Sequence, residues 1–195
     1  MTRWFPFLYA IIWPFFNFFH PIKAIGRENI PKGAALICSN HTKMSDPFFI
    51  SFAFGRRYRL NIMAKEELRQ IPVVGGLLEW YGIIWVKRGK SDIGAIKTAM
   101  KVLKDEKKLL IFPEGTRREE IGDGKTGAAM LAIRTHVPIV PVYLPPKRPW
   151  FHRTPVVIGE PYDPFTQERR ATAEDYRLAT DELMTRISDL KELAP

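Results

Sequence analysis

The chain has 195 residues, which favours one domain, and its single cysteine, Cys38, excludes an intrachain disulfide and a cysteine-rich zinc site. Hydrophobic residues make up 46% and charged residues 26%, an ordinary composition for a globular chain that can bury a substantial core. The formal net charge of +9 points to anionic partners such as nucleic acid, acidic lipid or a phosphorylated substrate.

The amino terminus carries an almost wholly apolar run over residues 4–19. The run is shorter than the ~20 residues that a spanning helix needs, and Pro6 and Pro14 are expected to break it up. It lacks a small-residue cleavage site, which argues against a removable signal peptide. Its Trp, Tyr and Phe side chains suit a membrane interface, and nearby basic residues could meet anionic headgroups. We predict a monotopic anchor formed by a helix or hairpin, with a buried helical hairpin and a short or tilted span as the alternatives.

Strand-like and helix-like segments alternate after this run. The predicted strands cover residues 36–38, 58–64, 83–86, 108–112, 138–143 and 155–158. Helices are predicted from Pro47, over residues 77–81, 91–105 and 127–134, and after a capping box at Thr172 and Asp175. The alternation predicts an α/β fold, a single domain with a mixed, partly parallel sheet flanked by helices. The proline-rich stretch 145–150 is interpreted as a surface loop.

The turn after the first of these strands is the most informative polar segment. It places His41 five residues before Asp46. A histidine, with an unperturbed pKa of about 6.5, can act as a base near neutral pH, and a carboxylate that fixes its tautomer improves it. Helix geometry would turn the two side chains about 140° apart, so they can meet only across a turn. Asp46 before Pro47 is also a typical helix start, and simple capping is therefore the alternative.

Two other predicted strands also end in polar residues, which is where α/β sheets form their sites. Arg88 follows one strand, and the segment Glu114, Gly115, Thr116, Arg117 follows another. The glycine can expose its N–H, the threonine adds a hydroxyl, and the arginine adds forked donors suited to phosphate. This segment predicts an anion site; the alternative is a solvated turn in which arginines pair with the neighbouring acids Glu119 and Glu120.

The absence of several known catalytic motifs from the sequence limits the kinds of reaction that the chain could catalyse. The chain has no Gly-x-Ser-x-Gly elbow, and Cys38 lies before the polar turn, so a protein nucleophile is not expected. A histidine base that deprotonates the substrate's own hydroxyl is the simplest chemistry. The remaining histidines lack metal-ligand spacing, so no metal is predicted, although a site assembled from His41, Asp46 and Glu114 stays open. The glycines before Lys125 fail the phosphate-loop spacing, which argues against nucleotide hydrolysis.

Four ordered blocks of the chain resemble the glycerophospholipid acyltransferase family, in particular the 1-acyl-sn-glycerol-3-phosphate acyltransferases. The family's His-x4-Asp block matches His41 and Asp46. Its Gly-x-x-Phe-(Ile/Val)-x-Arg block matches residues 82–88, with Trp85 in place of Phe. Its Phe-Pro-Glu-Gly-Thr-Arg-Ser block matches residues 112–118, with Arg118 in place of Ser, and its Val-Pro-Ile-Val-Pro-Val block matches residues 137–142 without change.

The resemblance implies transfer of a fatty acyl group to the sn-2 hydroxyl of lysophosphatidic acid, with residues 1–20 as a membrane-associating segment and 21–195 as the acyltransferase domain. His41 would be the general base and Asp46 its orienting partner. The glycerol phosphate of the acceptor would be held by Arg88, Glu114, Gly115, Thr116 and Arg117.

The implied co-substrate is an acyl-CoA or acyl-carrier-protein thioester, with no other cofactor. We expect the protein to associate with an anionic membrane surface, on the cytoplasmic face of the cell membrane, where the lipid acceptor lies. Nucleic acid is not an expected partner, because the aromatic residues cluster at the amino terminus instead of interleaving with basic ones. Two alternatives remain: another acceptor, such as glycerol 3-phosphate or a different lysophospholipid, and a catalytically silent lipid-binding protein.

Overall fold

The computed structural model of the protein describes residues 5–72, 74–81, 83–86 and 93–194. Within these residues seven strands form one sheet in the order β1-β7-β6-β2-β5-β3-β4. The strands are β1 (Ile22–Ile25), β2 (Ala35–Ser39), β3 (Leu60–Lys65), β4 (Ile84–Val86), β5 (Lys108–Ile111), β6 (Ile139–Tyr143) and β7 (Thr154–Ile158). The predicted α/β fold is therefore confirmed, with β1 as a strand that the sequence pattern did not reveal.

The sheet is mixed, and its strand directions decide where loops meet. Strands β6, β2, β5, β3 and β4 run parallel to one another. Strand β7 pairs antiparallel with β6, and β1 pairs parallel with β7. The carboxyl ends of the five parallel strands therefore share one edge with the amino ends of β1 and β7, which we call the carboxyl edge.

Helices cover both faces of the sheet. They are α1 (Phe5–Phe19), α2 (Asp46–Phe54), α3 (Val74–Tyr81), α4 (Ile93–Lys104), α5 (Gly127–Thr135) and α6 (Ala173–Asp189), and the predicted capping box at the start of α6 is formed. Because strand side chains alternate between faces, Ile37 packs with α2 on one face, whereas Leu36 and Cys38 pack with α4, α5 and α6 on the other.

Helix α1 is one continuous helix that passes through Pro14. The expectation that proline interrupts the apolar run is therefore wrong at this position. Packing supports the turns on either side of Pro14: the ring of Tyr9 lies 5.4 Å from that of Phe52, and the ring of Phe16 lies 5.0 Å from that of Phe49. In the part of the chain that the structure describes, no helix has both the length and the apolar character to cross a membrane. Helix α1 is thus attached to the domain through α2 and leads into β1 at the carboxyl edge.

Candidate active site

Three loops meet at the centre of the carboxyl edge because the strands that precede them are neighbours. Strand β2 lies between β6 and β5 in the sheet. The loop after β2 carries His41, the loop after β5 carries Glu114, and the loop after β6 carries Arg148. Each loop contributes a charged or titratable side chain to one cluster.

The structure brings His41 and Asp46 together across the predicted turn. The Nδ1 atom of His41 lies 2.8 Å from Oδ2 of Asp46, which is fully buried, while 18% of the His41 side chain stays exposed. An ionised carboxylate only accepts hydrogen bonds, so Nδ1 carries the proton and Nε2 remains the acceptor of the ring. This is the arrangement that a general base requires.

The carboxylate of Asp46 is directed back toward the turn. Its Oδ2 atom accepts hydrogen bonds from the backbone N–H groups of Thr42 at 2.6 Å and Lys43 at 2.8 Å. Asp46 is the first residue of α2. The N-cap position belongs to Ser45, and the described hydrogen bonds of the Asp46 side chain run to residues before the helix. The alternative that Asp46 only caps α2 is therefore wrong.

Arg148 is a member of the cluster that the sequence interpretation missed. Its Nη1 atom forms an ion pair with Oδ1 of Asp46 at 2.6 Å, and its Nη2 atom donates to Oγ1 of Thr42 at 2.9 Å. The guanidinium carbon lies 4.8 Å from the centre of the Phe49 ring. The residue is only 6% exposed, so interpreting residues 145–150 as a surface loop is wrong for Arg148. Its position just after a strand that ends at the carboxyl edge is the signal that would have found it.

These contacts keep Asp46 ionised. Burial would by itself raise the pKa of Asp46, but the hydrogen bonds from His41, Lys43 and Thr42 and the charge of Arg148 outweigh burial and hold its pKa below the usual value. Both carboxylate oxygens are already engaged by these donors. A metal site built from His41, Asp46 and Glu114 would have to displace them, which disfavours that alternative.

The loop after β5 fixes His41 from the other side. The ring of Phe112 stacks on the imidazole, with centroids 4.1 Å apart and an angle of 20° between the planes. The backbone N–H of His41 donates to Oε1 of Glu114 at 3.3 Å, and the N–H of Arg118 donates to the carbonyl oxygen of His41 at 2.8 Å. Burial raises the pKa of Glu114 above its usual value. Glu114 thus positions His41, whereas its direct contact with an acceptor stays a prediction.

The turn beyond Glu114 presents cationic and hydroxyl groups at the surface. Gly115 has a φ of +67°, in the left-handed region that glycine enters without strain. A Cβ atom at this position would lie 3.2 Å from Nζ of Lys125, which shows how closely that ammonium group approaches the turn. Thr116 and Arg117 are exposed on the same turn. Among the described residues, neither Arg117 nor Arg118 forms an ion pair with Glu119 or Glu120, and the charge of Arg118 acts on Glu114 instead.

An amide side chain joins two of the three loops. The Nδ2 group of Asn40 donates to the carbonyl oxygen of Leu144 at 2.8 Å, and Oδ1 of Asn40 accepts from the N–H of Leu144 at 2.9 Å. These paired bonds connect the ends of β2 and β6, and they hold the loop of His41 against the loop of Arg148. Arg88, the remaining predicted site residue, lies outside the described residues.

Comparison with known proteins gives a consistent family assignment. The Acyltransferase family model matches residues 21–145. The chain is 29% identical to the 1-acyl-sn-glycerol-3-phosphate acyltransferase of Bacillus subtilis, over 87% of this chain and 88% of that protein. The crystal structure of the 1-acyl-sn-glycerophosphate (LPA) acyltransferase PlsC from Thermotoga maritima superposes with a TM-score of 0.68 at 27% identity, covering 97% of this chain and 76% of that one.

Other curated relatives are longer than this chain. The chloroplastic 1-acyl-sn-glycerol-3-phosphate acyltransferase LPAT1 of Arabidopsis thaliana is 30% identical over 65% of this chain and 36% of its own length. The 1-acyl-sn-glycerol-3-phosphate acyltransferase of Borreliella burgdorferi is 37% identical over 61% of this chain and 49% of its own length. The chain thus spans about a third to a half of these relatives. The family model covers well over half of the chain, and the protein belongs to the Acyltransferase family.

Proposed function

We propose that the protein transfers a fatty acyl group from an acyl thioester to the sn-2 hydroxyl of lysophosphatidic acid and so forms phosphatidic acid. The observation that carries this proposal is the pair of His41 and Asp46, 2.8 Å apart, beside a turn that presents Thr116 and Arg117. A base next to a phosphate-binding turn suits a substrate that carries both a free hydroxyl and a phosphate. The names of the relatives support the same acceptor.

The proposed reaction needs only one proton carrier from the protein. Nε2 of His41 takes the proton of the acceptor hydroxyl while the hydroxyl oxygen attacks the carbonyl carbon of the thioester. The tetrahedral intermediate then collapses, the carbon–sulfur bond breaks, and the leaving thiolate takes the proton from the imidazolium. Asp46 holds the ring and stabilises the imidazolium formed between the two steps. The products are an ester and a free thiol, and no metal or redox cofactor takes part.

Substrate binding is proposed to divide between the two sides of the base. The phosphate of the acceptor would lie at the turn that carries Gly115, Thr116 and Arg117, with Arg88 as a further contact. Glu114 would act indirectly, because its carboxylate accepts the backbone N–H of His41 and so holds the histidine in place. The thioester of coenzyme A or of acyl carrier protein would approach from the open side of the imidazole.

A panel of donors and acceptors tests this function. We expect lysophosphatidic acid with an acyl-CoA or acyl-carrier-protein thioester to give phosphatidic acid, measured by mass spectrometry of extracted lipid. Faster turnover of glycerol 3-phosphate or of another lysophospholipid would instead identify the alternative acceptor. Lipid binding without turnover, with both donors supplied, would favour the catalytically silent lipid-binding protein.

We also propose that α1 attaches the protein to the cytoplasmic face of the membrane. Its outward face is apolar: Phe7, Ile11, Phe15 and Phe18 are all exposed. A helix that is apolar on every side is normally buried all round, and a lipid interface supplies the missing cover. The inner face already packs on α2, so replacing outward residues leaves that packing in place.

The triple variant Ile11→Ser, Phe15→Ser, Phe18→Ser is therefore expected to weaken vesicle binding at least about tenfold, because each large apolar side chain contributes ~1.5–3 kcal/mol when fully buried. Flotation with vesicles of phosphatidylglycerol and phosphatidylcholine measures the bound fraction. Leu178→Ser is the matched control, since Leu178 is an exposed apolar residue on α6. Equal flotation of the triple variant and the control would contradict a role for α1.

A further inference from the structure

A second pair of exposed aromatic residues lies in the loop that joins β6 to β7. Trp150 and Phe151 are 63% and 59% exposed. Large aromatic side chains dominate the apolar surface that proteins bury, so two adjacent exposed rings indicate a contact surface. We refer to residues 147–153 as the aromatic loop.

The aromatic loop is continuous with the end of α1. The ring centre of Phe151 lies 5.8 Å from that of Phe18 and 5.6 Å from that of Phe19. The ring of Trp150 lies 5.7 Å from that of Phe19. Since Phe18 belongs to the outward face of α1, the exposed surface extends from the helix onto the loop without a break.

The backbone holds the two rings in this position against its own preference. Phe151 has a φ of +63°, a left-handed conformation that is rare and strained for a bulky residue. Its N–H donates to the carbonyl oxygen of Phe19 at 2.7 Å, which ties the loop to the last residue of α1. The fold thus sustains a strained conformation that displays two apolar side chains.

The charge around the aromatic loop identifies the kind of surface that it suits. Lys147 and Arg153 are exposed within the loop, and the sequence contains no acidic residue between Asp123 and Glu160. Aromatic rings beside basic side chains are typical of contact with the headgroup region of an anionic bilayer. The two rings would lie at the boundary between headgroups and acyl chains, and the basic side chains would contact the lipid phosphates.

We propose that Trp150 and Phe151 form a second membrane contact, which enters the same anionic lipid surface as α1. The proposal rests on the proposed function in one respect, that the protein works at a membrane. It adds a structural link, because Arg148, two residues before Trp150, reaches the buried carboxylate of Asp46. The segment that meets the lipid is then the segment that holds the catalytic pair, and α1 and the aromatic loop together define how the site faces the bilayer.

The test compares Trp150→Ala/Phe151→Ala with the wild type on vesicles of phosphatidylglycerol and phosphatidylcholine. We expect about tenfold weaker binding with α1 unchanged, since two partly inserted rings are lost. Leu178→Ala is the matched control, because Leu178 is an exposed apolar residue on α6 and outside the aromatic loop, and it should bind like the wild type. Thermal unfolding of each variant checks that the fold is retained.

A second measurement does not depend on removing both rings. Lipids brominated near the headgroup end of the acyl chain should quench part of the tryptophan emission of the wild type. The conservative variant Trp150→Phe should lose that part while binding vesicles normally. Equal vesicle binding by the double variant, together with equal quenching in Trp150→Phe, would overturn the proposal.

The remaining outcomes separate this inference from the proposed function. If the double variant loses self-association on size-exclusion chromatography but binds vesicles normally, the aromatic loop contacts a second copy and the proposal fails. Turnover of a short-chain, water-soluble acceptor tests the chemistry without a membrane. Normal turnover by the wild type, with unchanged vesicle binding by the double variant and unchanged quenching in Trp150→Phe, rejects the second contact alone. Absent turnover by the wild type, with weakened vesicle binding by the double variant, rejects the acyltransferase function alone.

Discussion

Replacing His41 by alanine is expected to lower the turnover number by about 10²–10⁴-fold, the contribution typical of a general base. In the proposed reaction Nε2 of the imidazole accepts the proton of the acceptor hydroxyl, since Nδ1 is committed to Asp46. Binding of the acceptor should change little, because the cationic turn at Arg117 is not altered. Initial rates at several concentrations of lysophosphatidic acid in vesicles measure the turnover number and the KM for the acceptor.

His136→Asn is the matched control for this substitution. His136 is exposed after α5 and before the amino end of β6, at the opposite edge of the sheet, and asparagine tolerates its left-handed φ of +52°. It should retain turnover close to that of the wild type. Turnover near the wild-type value in His41→Ala, in a variant that unfolds at a normal temperature, would reject the base assignment.

Replacing Arg148 by methionine is expected to have the second largest effect, acting through position and not through contact with substrate. The change leaves Oδ1 of Asp46 buried without its ion-pair partner, and breaking such a pair costs about 3–5 kcal/mol of stability. Because Oδ2 keeps its other donors, we expect the lower end of that range. Misplacement of the imidazole by ~1 Å would lower the turnover number on the order of 100-fold.

The rate of Arg148→Met should depend on pH differently from that of the wild type, with the acidic limb shifted in one direction. The charge of Arg148 is one of the causes that lower the pKa of Asp46, so its removal lets the carboxyl hold a proton at higher pH. A protonated Asp46 no longer accepts the Nδ1–H bond that orients the ring of His41. This effect moves the acidic limb of the rate profile to higher pH.

Two variants separate positioning from substrate binding. Arg148→Lys keeps the charge but lacks the fork that reaches both Asp46 and Thr42, so an intermediate turnover number is expected. Arg153→Met removes an exposed arginine of the same loop and should leave the acidic limb in place. A raised KM for the acceptor with an unchanged turnover number and pH profile in Arg148→Met would show that Arg148 contacts the ligand instead.

The parts of the fold that follow from local pattern could be predicted from the sequence. Strand β2, the turn at His41 and the start of α2 are set by a short apolar run, a polar turn and an Asp-Pro pair, all within one stretch of chain. The neighbouring strands β5 and β6 also contain short apolar runs in the sequence. Because ligand sites form at the carboxyl ends of such strands, the approximate location of the candidate site could be predicted as well.

The parts that depend on distant contacts could not be predicted in this way. Proline composition predicts exposure for residues 145–150, yet the carboxylate of Asp46, about a hundred residues away along the chain, draws Arg148 into the interior. Similarly, the sequence around Pro14 predicts a break in the helix. In the structure, packing of Phe16 on Phe49 and Phe52 stabilises the helix around this proline. Strand β1 has only four residues, and its pairing with β7 defines it.

The attachment of α1 at the carboxyl edge has a consequence for the kinetics. Phe16 of α1 packs on Phe49, the guanidinium of Arg148 lies over the same ring, and Arg148 in turn contacts Asp46. With α1 in the bilayer, as proposed, the protein would meet the proposed lipid acceptor in two dimensions, at the surface density that the bilayer presents. Its rate should then follow the mole fraction of acceptor among the surrounding lipids and fall on surface dilution, even when the amount of acceptor per volume of solution is constant.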